Sequence, residues 1–216
     1  MTGIIRYIKK HKIKSVLLFV TLIWYAFCLP NKLFEKPTST VIESSEGDLL
    51  GAIIADDGQW RFPVCDSVPH KFKECIVQFE DAYFYDHPGF NPVSIFKALK
   101  ANISSGKVVR GGSTLTQQVI RLSRDGQERT YFEKLKEIIL ATRLEVRESK
   151  EDILKLYASH APFGGNVVGI DGAAWRYFGV QPHQLSWAES ATLAVLPNAP
   201  SLIYPGKNQQ KLLDKR

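Results

Sequence analysis

TYFEKLKEIILATRLEVR, residues 130–147, is the stretch that decides the fold. Phe132, Leu135, Ile139, Thr142 and Val146 fall on one face of a helix, and Leu140, Ala141 and Leu144 on a second. A helix apolar on two faces is expected to be central and buried. Thr130 with Glu133 three residues on gives it a capping-box start. Lys134 and Glu137 form a polar island beside Leu140, Ala141 and Leu144. Buried charges need partners, so this pair is either a plain i, i+3 ion pair or a charged site in a cleft.

Downstream, Ser149 with Asp152 and Ser186 with Glu189 are two further capping signals. Gly179 ends a helix after WRYF, and Pro197 ends the one begun at Ser186. The last ten residues, KNQQKLLDKR, resemble a helix stopped before it finishes, as in a truncated C-terminus. Upstream, Phe72, Ile76, Phe79 and Tyr83 recur at helical spacing, and Asn91-Pro92 is an N-cap with proline at the first helical position. Residues 41–64 alternate short apolar runs with turn pairs, which predicts a small antiparallel ribbon. The fold class is therefore mainly α with a small β-ribbon.

The chain has 216 residues, 44% hydrophobic and 23% charged, with a net charge of +6. That excludes a disordered tail, a collagen-like fibre and a disulfide-dense miniprotein. The charge is uneven: Arg6, Lys9, Lys10, Lys12 and Lys14 precede the first acid. Without those five, 23 basic residues face 22 acidic ones, so no basic stripe for nucleic acid remains and no nucleic-acid partner is expected. The uncharged run SVLLFVTLIWYAFCL, residues 15–29, follows the basic cluster. It predicts residues 1–14 as a cytoplasmic basic tail and 15–31 as a single transmembrane anchor, with the C-terminal body outside. A cleaved leader is the alternative, but no small-x-small site precedes Pro30, and Phe27 before Cys28 does not suit a lipoprotein box. Residues 32–64 are expected to be linker and ribbon, and 65–216 the main domain. Cys65 and Cys75 either pair or remain separate buried thiols.

Three stretches carry candidate chemistry. In EDAYFYDHPGF, residues 80–90, Glu80 lies roughly 70° from the centre of the apolar stripe, at 100° per residue. Desolvation at such a rim raises a carboxyl pKa, as a general base or acid requires, although the residue alone reads more simply as an ordinary boundary glutamate on an amphipathic helix. Asp81 points to the far side of the same wheel. In VVRGGSTLTQQVIR, residues 108–121, Gly111-Gly112 permits close backbone approach to a ligand and Ser113 opens a helix. Amides at that N-terminus, with Arg110, Thr114, Thr116, Gln117, Gln118 and Arg121, form either a phosphate or pyrophosphate cradle or simply a glycine turn with a good N-cap. No Gly-Lys-Ser/Thr follows, so it is not a Walker loop. The third is the Lys134–Glu137 pair. SIFK at Ser94 and SSGK at Ser104 lack the other transpeptidase motifs and are taken as chance. The five histidines do not cluster with cysteine, so no metal site is expected from them.

These pieces together resemble the peptidoglycan glycosyltransferases of glycosyltransferase family 51, the transglycosylase domain of class A penicillin-binding proteins. EDAYFYDHPGF resembles the first signature, RGGSTLTQQVIR the second and EKLKE the third. LYASHAPFGGNVVGIDGAAWRYFG resembles the fourth and LSWAESATLAVLPNAPSLIYP the fifth, all in order. WRFPV and APFGG are most similar to the penicillin-binding protein 1C branch, without its transpeptidase domain. The resemblance implies a lysozyme-like helical fold with a hydrophobic part dipping into the membrane. It also implies polymerisation of lipid II into β-1,4 glycan with inversion and release of polyprenyl pyrophosphate, at the outer face of the cytoplasmic membrane. Glu80 would be the general base and Glu137 the second catalytic glutamate. Asp81, Phe84, His87, Arg110, Gly112, Ser113, Thr114, Gln117, Gln118, Arg121 and Lys134 would bind substrate. A divalent cation, Mg or Mn, is a possible aid at the donor pyrophosphate. Implied partners are lipid II, the growing lipid-linked glycan, the membrane and other cell-wall synthesis proteins. Three positions depart from the pattern: Glu133 where Arg is usual, Arg121 where Lys is commoner, and Ser159 in place of Asn. A lytic muramidase on the same fold and a non-catalytic anchored assembly module are the competing readings.

Overall fold

A computed structural model describes residues 10–46, 48–107, 111–125, 127 and 130–216. The chain divides into two compact units, residues 1–33 and 34–216.

The first unit contains helix α1 (Lys12–Phe27), in which no residue is buried. Its 16 residues rise about 24 Å, against about 30 Å of bilayer hydrocarbon. Among the described residues no helix is long and apolar enough to cross a membrane. The expected span therefore ends early, and the reason is local. Pro30 disfavours helical backbone at Leu29, so the helix stops at Phe27 although the apolar run continues.

The second unit begins with a two-stranded antiparallel ribbon, β1 (Thr40–Glu43) and β2 (Leu49–Ile53), with Thr40 opposite Ile53 and Val41 opposite Ala52. β3 (Trp60–Arg61) leaves the ribbon and joins a second sheet. There it runs parallel to β5 (Val167–Val168), which pairs antiparallel with β4 (Pro162–Gly164). The segment before the ribbon is packed rather than free. Phe34 stacks on His160 at 3.6 Å, and buried Arg61 donates to the carbonyl of Pro37 and to Asp57.

The helices make the body: α2 (His70–Glu80), α3 (Pro92–Ser105), α4 (Leu115–Ser123), α5 (Tyr131–Arg147), α6 (Lys150–His160), α7 (Ile170–Phe178), α8 (Trp187–Val195) and α9 (Gln209–Lys215). α2 packs on α8, and α4 packs on both α5 and α6. The core is made by Phe72 and Ile76 of α2, Leu115 and Ile120 of α4, Leu144 of α5, and Ile153, Leu154 and Tyr157 of α6, with Phe84 from the turn after α2 and Phe163 of β4.

Two expectations need correcting. α5 is buried on one side only: Ala141 and Leu144 are covered, but Phe132, Leu135 and Val146 are 65%, 53% and 72% exposed. α2 stops at Glu80 because Asp81 leaves helical geometry at φ −158° and ψ 70°. Tyr83 therefore falls off the apolar stripe and is exposed, and the wheel angle assigned to Asp81 no longer applies.

Candidate active site

Glu80 is the last helical residue of α2. Its Oε2 accepts a hydrogen bond from the Gln118 amide at 2.8 Å. Its Oε1 is buried and has no hydrogen-bond partner among the described residues. Burial pushes the carboxyl above its ordinary value, and the Gln118 hydrogen bond, the Lys215 charge and the Asn198 side chain offset part of that rise. A desolvated carboxylate of raised basicity is suited to accept a proton.

Arg121 lies three residues after Gln118, on the same face of α4. Its guanidinium grips Glu137 with two bonds, Nε to Oε1 at 2.7 Å and a terminal nitrogen to Oε2 at 3.1 Å. Lys134 Nζ donates to Glu137 Oε2 at 3.2 Å, to Ser113 Oγ at 2.8 Å and to the Gln117 amide oxygen. Arg121 also donates to Ser113 Oγ at 3.1 Å. Burial alone would raise the Glu137 carboxyl, but hydrogen bonds and charges from Arg121 and Lys134 outweigh it and hold the group below its ordinary value. One face of α4 thus touches two carboxylates whose environments push them in opposite directions, the pattern that separates a proton acceptor from a permanent anion.

The remaining sequence candidates fall into two groups. Ser113, Gln118, Arg121 and Lys134 gather around the two glutamates, as just described. Asp81, Phe84 and His87 lie in the interior rather than along a groove. Asp81 accepts from His87 Nε2 at 2.9 Å and from the Leu115 amide at 3.0 Å. His87 Nδ1 accepts from the Gly89 amide, so Nε2 carries the ring proton. Phe84 is wholly buried, with Lys150 Nζ 4.5 Å from its ring centre. These three residues pin the start of α4 to the end of α2. Thr114 is the N-cap of α4, one residue later than the Ser113 start expected. Its hydroxyl also donates to the Gly89 carbonyl at 2.7 Å. Thr116 turns inward to Glu145, and Gln117 donates to the Gly89 carbonyl. Gly112 serves packing: a Cβ there would meet Ile95 Cα at 3.0 Å and the Ser94 carbonyl at 3.2 Å. Arg110 and Arg129 lie outside the described residues.

The departures have structural employment. Glu133 fills half of the expected capping box, its amide bonding Thr130 Oγ1, while its carboxylate pairs with Arg124 and Lys136 instead of closing back on Thr130. Ser159 Oγ accepts the Cys65 amide and contacts its thiol at 3.1 Å. Cys65 and Cys75 are both free thiols.

Sequence reasoning missed three neighbours of Glu80. Lys215 Nζ donates to Asn198 and sits 5.8 Å from the Phe79 ring centre. Tyr157 is wholly buried, and the Glu80 charge acts on its hydroxyl. Lys215 lies 135 positions from Glu80 in the chain, and no spacing pattern connects them. Tyr157 carries only the mark of a core aromatic.

Among the described residues no group of three or more His, Cys, Asp or Glu is placed to hold a metal. At the cradle, Arg121 and Lys134 already neutralise Glu137, so these residues do not fit a resident divalent cation. A cavity of about 380 Å³ lined by Phe62, Trp175, Asp66 and Asp171 contains none of the residues gathered around the two glutamates.

The comparisons with known proteins agree on a family. A transglycosylase family model matches residues 46–216. Penicillin-binding protein 1C of Escherichia coli is 41% identical over 82% of this chain and 23% of its own length. Penicillin-binding protein 1A of Escherichia coli is 38% identical over 77% and 20%, and penicillin-binding protein 1A/1B of Bacillus subtilis 34% over 92% and 22%. The chain thus spans less than a quarter of the length of these relatives. Matched by that family model over most of its length, the chain belongs to the transglycosylase family.

Proposed function

We propose that the chain is a peptidoglycan glycosyltransferase that polymerises lipid II into β-1,4-linked glycan at the outer face of the cytoplasmic membrane. The observation that carries this reading is the pair of glutamates, from α2 and α5, touched by one face of α4, one raised by burial and one held down by two cations. Glu80 takes the proton from the acceptor sugar's 4-hydroxyl as that oxygen attacks the anomeric carbon of the donor. The bond from that carbon to the pyrophosphate oxygen breaks with inversion, and the leaving group departs with the electron pair. Negative charge develops on a diphosphate oxygen, where positioned cations stabilise it most. Arg121 and Lys134 supply those cations, and Glu137 fixes their place.

A lipid-linked substrate requires an enzyme at a bilayer, and two surfaces support that location. α1 displays Leu17, Leu18, Phe19, Leu22 and Ile23 to its surroundings behind a basic segment. α3 displays Val93, Phe96, Leu99 and Ile103 outward, with Lys97 and Lys100 in the same helix. Exposed apolar stripes flanked by lysine suit a membrane anchor and an interfacial helix.

Incubation of the protein with labelled lipid II in detergent tests the reading. The expected product is a glycan ladder on gels, with free polyprenyl pyrophosphate. Release of muropeptides from preformed peptidoglycan, without polymerisation of lipid II, would mark a lytic muramidase instead.

A further inference from the structure

Among the described residues, Glu80 Oε1, Tyr157 Oη and Ser190 Oγ are buried side-chain oxygens without a hydrogen-bond partner, and the Glu80 charge acts on the Tyr157 hydroxyl. A buried polar group without a partner is costly, so an unpartnered oxygen on a reactive carboxylate calls for an account. Tyr157 belongs to α6, which packs on α4, and α4 supplies the Gln118 amide to the other Glu80 oxygen. Ser190 belongs to α8, which packs on α2. The torsion that turns a glutamate's carboxylate is broad and nearly two-fold, so its oxygens re-aim at little cost.

We propose that Tyr157 is a positioning residue for Glu80, its hydroxyl donating to Oε1 once a turn of the carboxylate brings the two together. The proposal rests on the reading of Glu80 as the base. With Gln118 on Oε2 and Tyr157 on Oε1, the carboxylate plane is fixed from both sides and the anion is held against desolvation. The other charged groups at Glu80 are Lys215 from α9 and its own neighbour Asp81, with Asn198 as a polar contact.

The test is Tyr157→Phe, which keeps the ring and removes the donor. The acid limb of the kcat/KM profile for lipid II is expected to rise by about one pH unit, a tenfold change in the protonation equilibrium of the base. KM at the alkaline plateau stays constant. Replacing Tyr157 with 3,5-difluorotyrosine keeps the hydroxyl, makes it a stronger donor, and moves the limb the opposite way. It also serves if the phenylalanine variant melts early. Ser190→Ala leaves the limb in place. Superimposable profiles for wild type, Tyr157→Phe and the fluorinated protein overturn the proposal, as does a shift produced by Ser190→Ala alone. Infrared titration of ¹³C-labelled glutamate, assigned by difference against Glu80→Gln, reads the same coupling without turnover. An inactive chain whose Glu80 titration still moves with Tyr157 refutes the polymerase reading and keeps this one; an active chain whose titration does not move does the reverse.

Discussion

At the scale of single residues, the site is a division of labour between two carboxylates set by their neighbours. Glu137 is clamped by Arg121 and Lys134, so these cations carry both the anion's position and the proposed leaving-group site. Arg121→Ala and Lys134→Ala are each expected to lower kcat/KM for lipid II at least tenfold. The melting temperature should fall by only a few degrees, since both side chains are partly solvated and such pairs contribute about 1 kcal/mol or less when exposed. Activity and stability falling in proportion would make the cluster a structural ion pair. Sequence patterning singled out Glu80, Arg121, Lys134 and Glu137 as candidates because each belongs to a local pattern on its own helix, α2, α4 or α5. The wheel misplaced Asp81 because it cannot show that α2 ends at Glu80 and that the following loop turns inward; Phe84 and His87, which the resemblance assigns to substrate binding, are buried in that loop. Patterning missed Tyr157 and Lys215 because their approach to Glu80 exists only after α6 and α9 have packed.

At the scale of elements, caps were the most legible feature. Ser186 and Glu189 form the full reciprocal box, and Ser149, Thr130 and Asn91 each accept the amide three residues on. Ser186→Ala is expected to cost about 1 kcal/mol, visible as a lowered urea midpoint at unchanged m-value. The two-faced apolar pattern of α5 was misleading, because one of its faces is open. Periodicity reports which side chains share a face, and exposure depends on whether another element covers it. The same logic applies to α3, where Phe96 and Leu99 face outward. Replacing both with glutamate should reduce co-sedimentation with anionic phospholipid vesicles severalfold and leave the melting temperature unchanged. Unaltered binding would remove α3 from the membrane contact. Trp60–Arg61 falls within the expected antiparallel ribbon, but β3 instead runs parallel to β5, more than a hundred positions away, a pairing that no local period carries.

At the scale of the whole molecule, pH acts through buried groups remote from the site. Burial, with the charges of Asp66 and Glu43 adding to it, raises the Asp171 carboxyl from 3.8 to about 6, while its own backbone amide opposes the rise. Between those values the folded protein binds more protons than the unfolded chain, so this group makes stability fall as pH rises. Asp171→Asn should therefore stabilise the protein at pH 7, on the order of 2 kcal/mol, and have little effect at pH 4. Equal melting shifts at both values would contradict that. His160 acts in the reverse sense. Its pKa is depressed to about 4 by burial and the Arg61 charge, so its contribution is present above pH 6.5 and is lost as pH falls toward 4. The central claim is that a half-buried carboxylate at position 80 removes the proton from the attacking hydroxyl. Its most direct test is glycan synthesis from purified lipid II by wild type and Glu80→Gln, with both melting curves recorded. The account predicts no polymer from the variant at a melting temperature within a few degrees of wild type; polymer formed at the wild-type rate would contradict it.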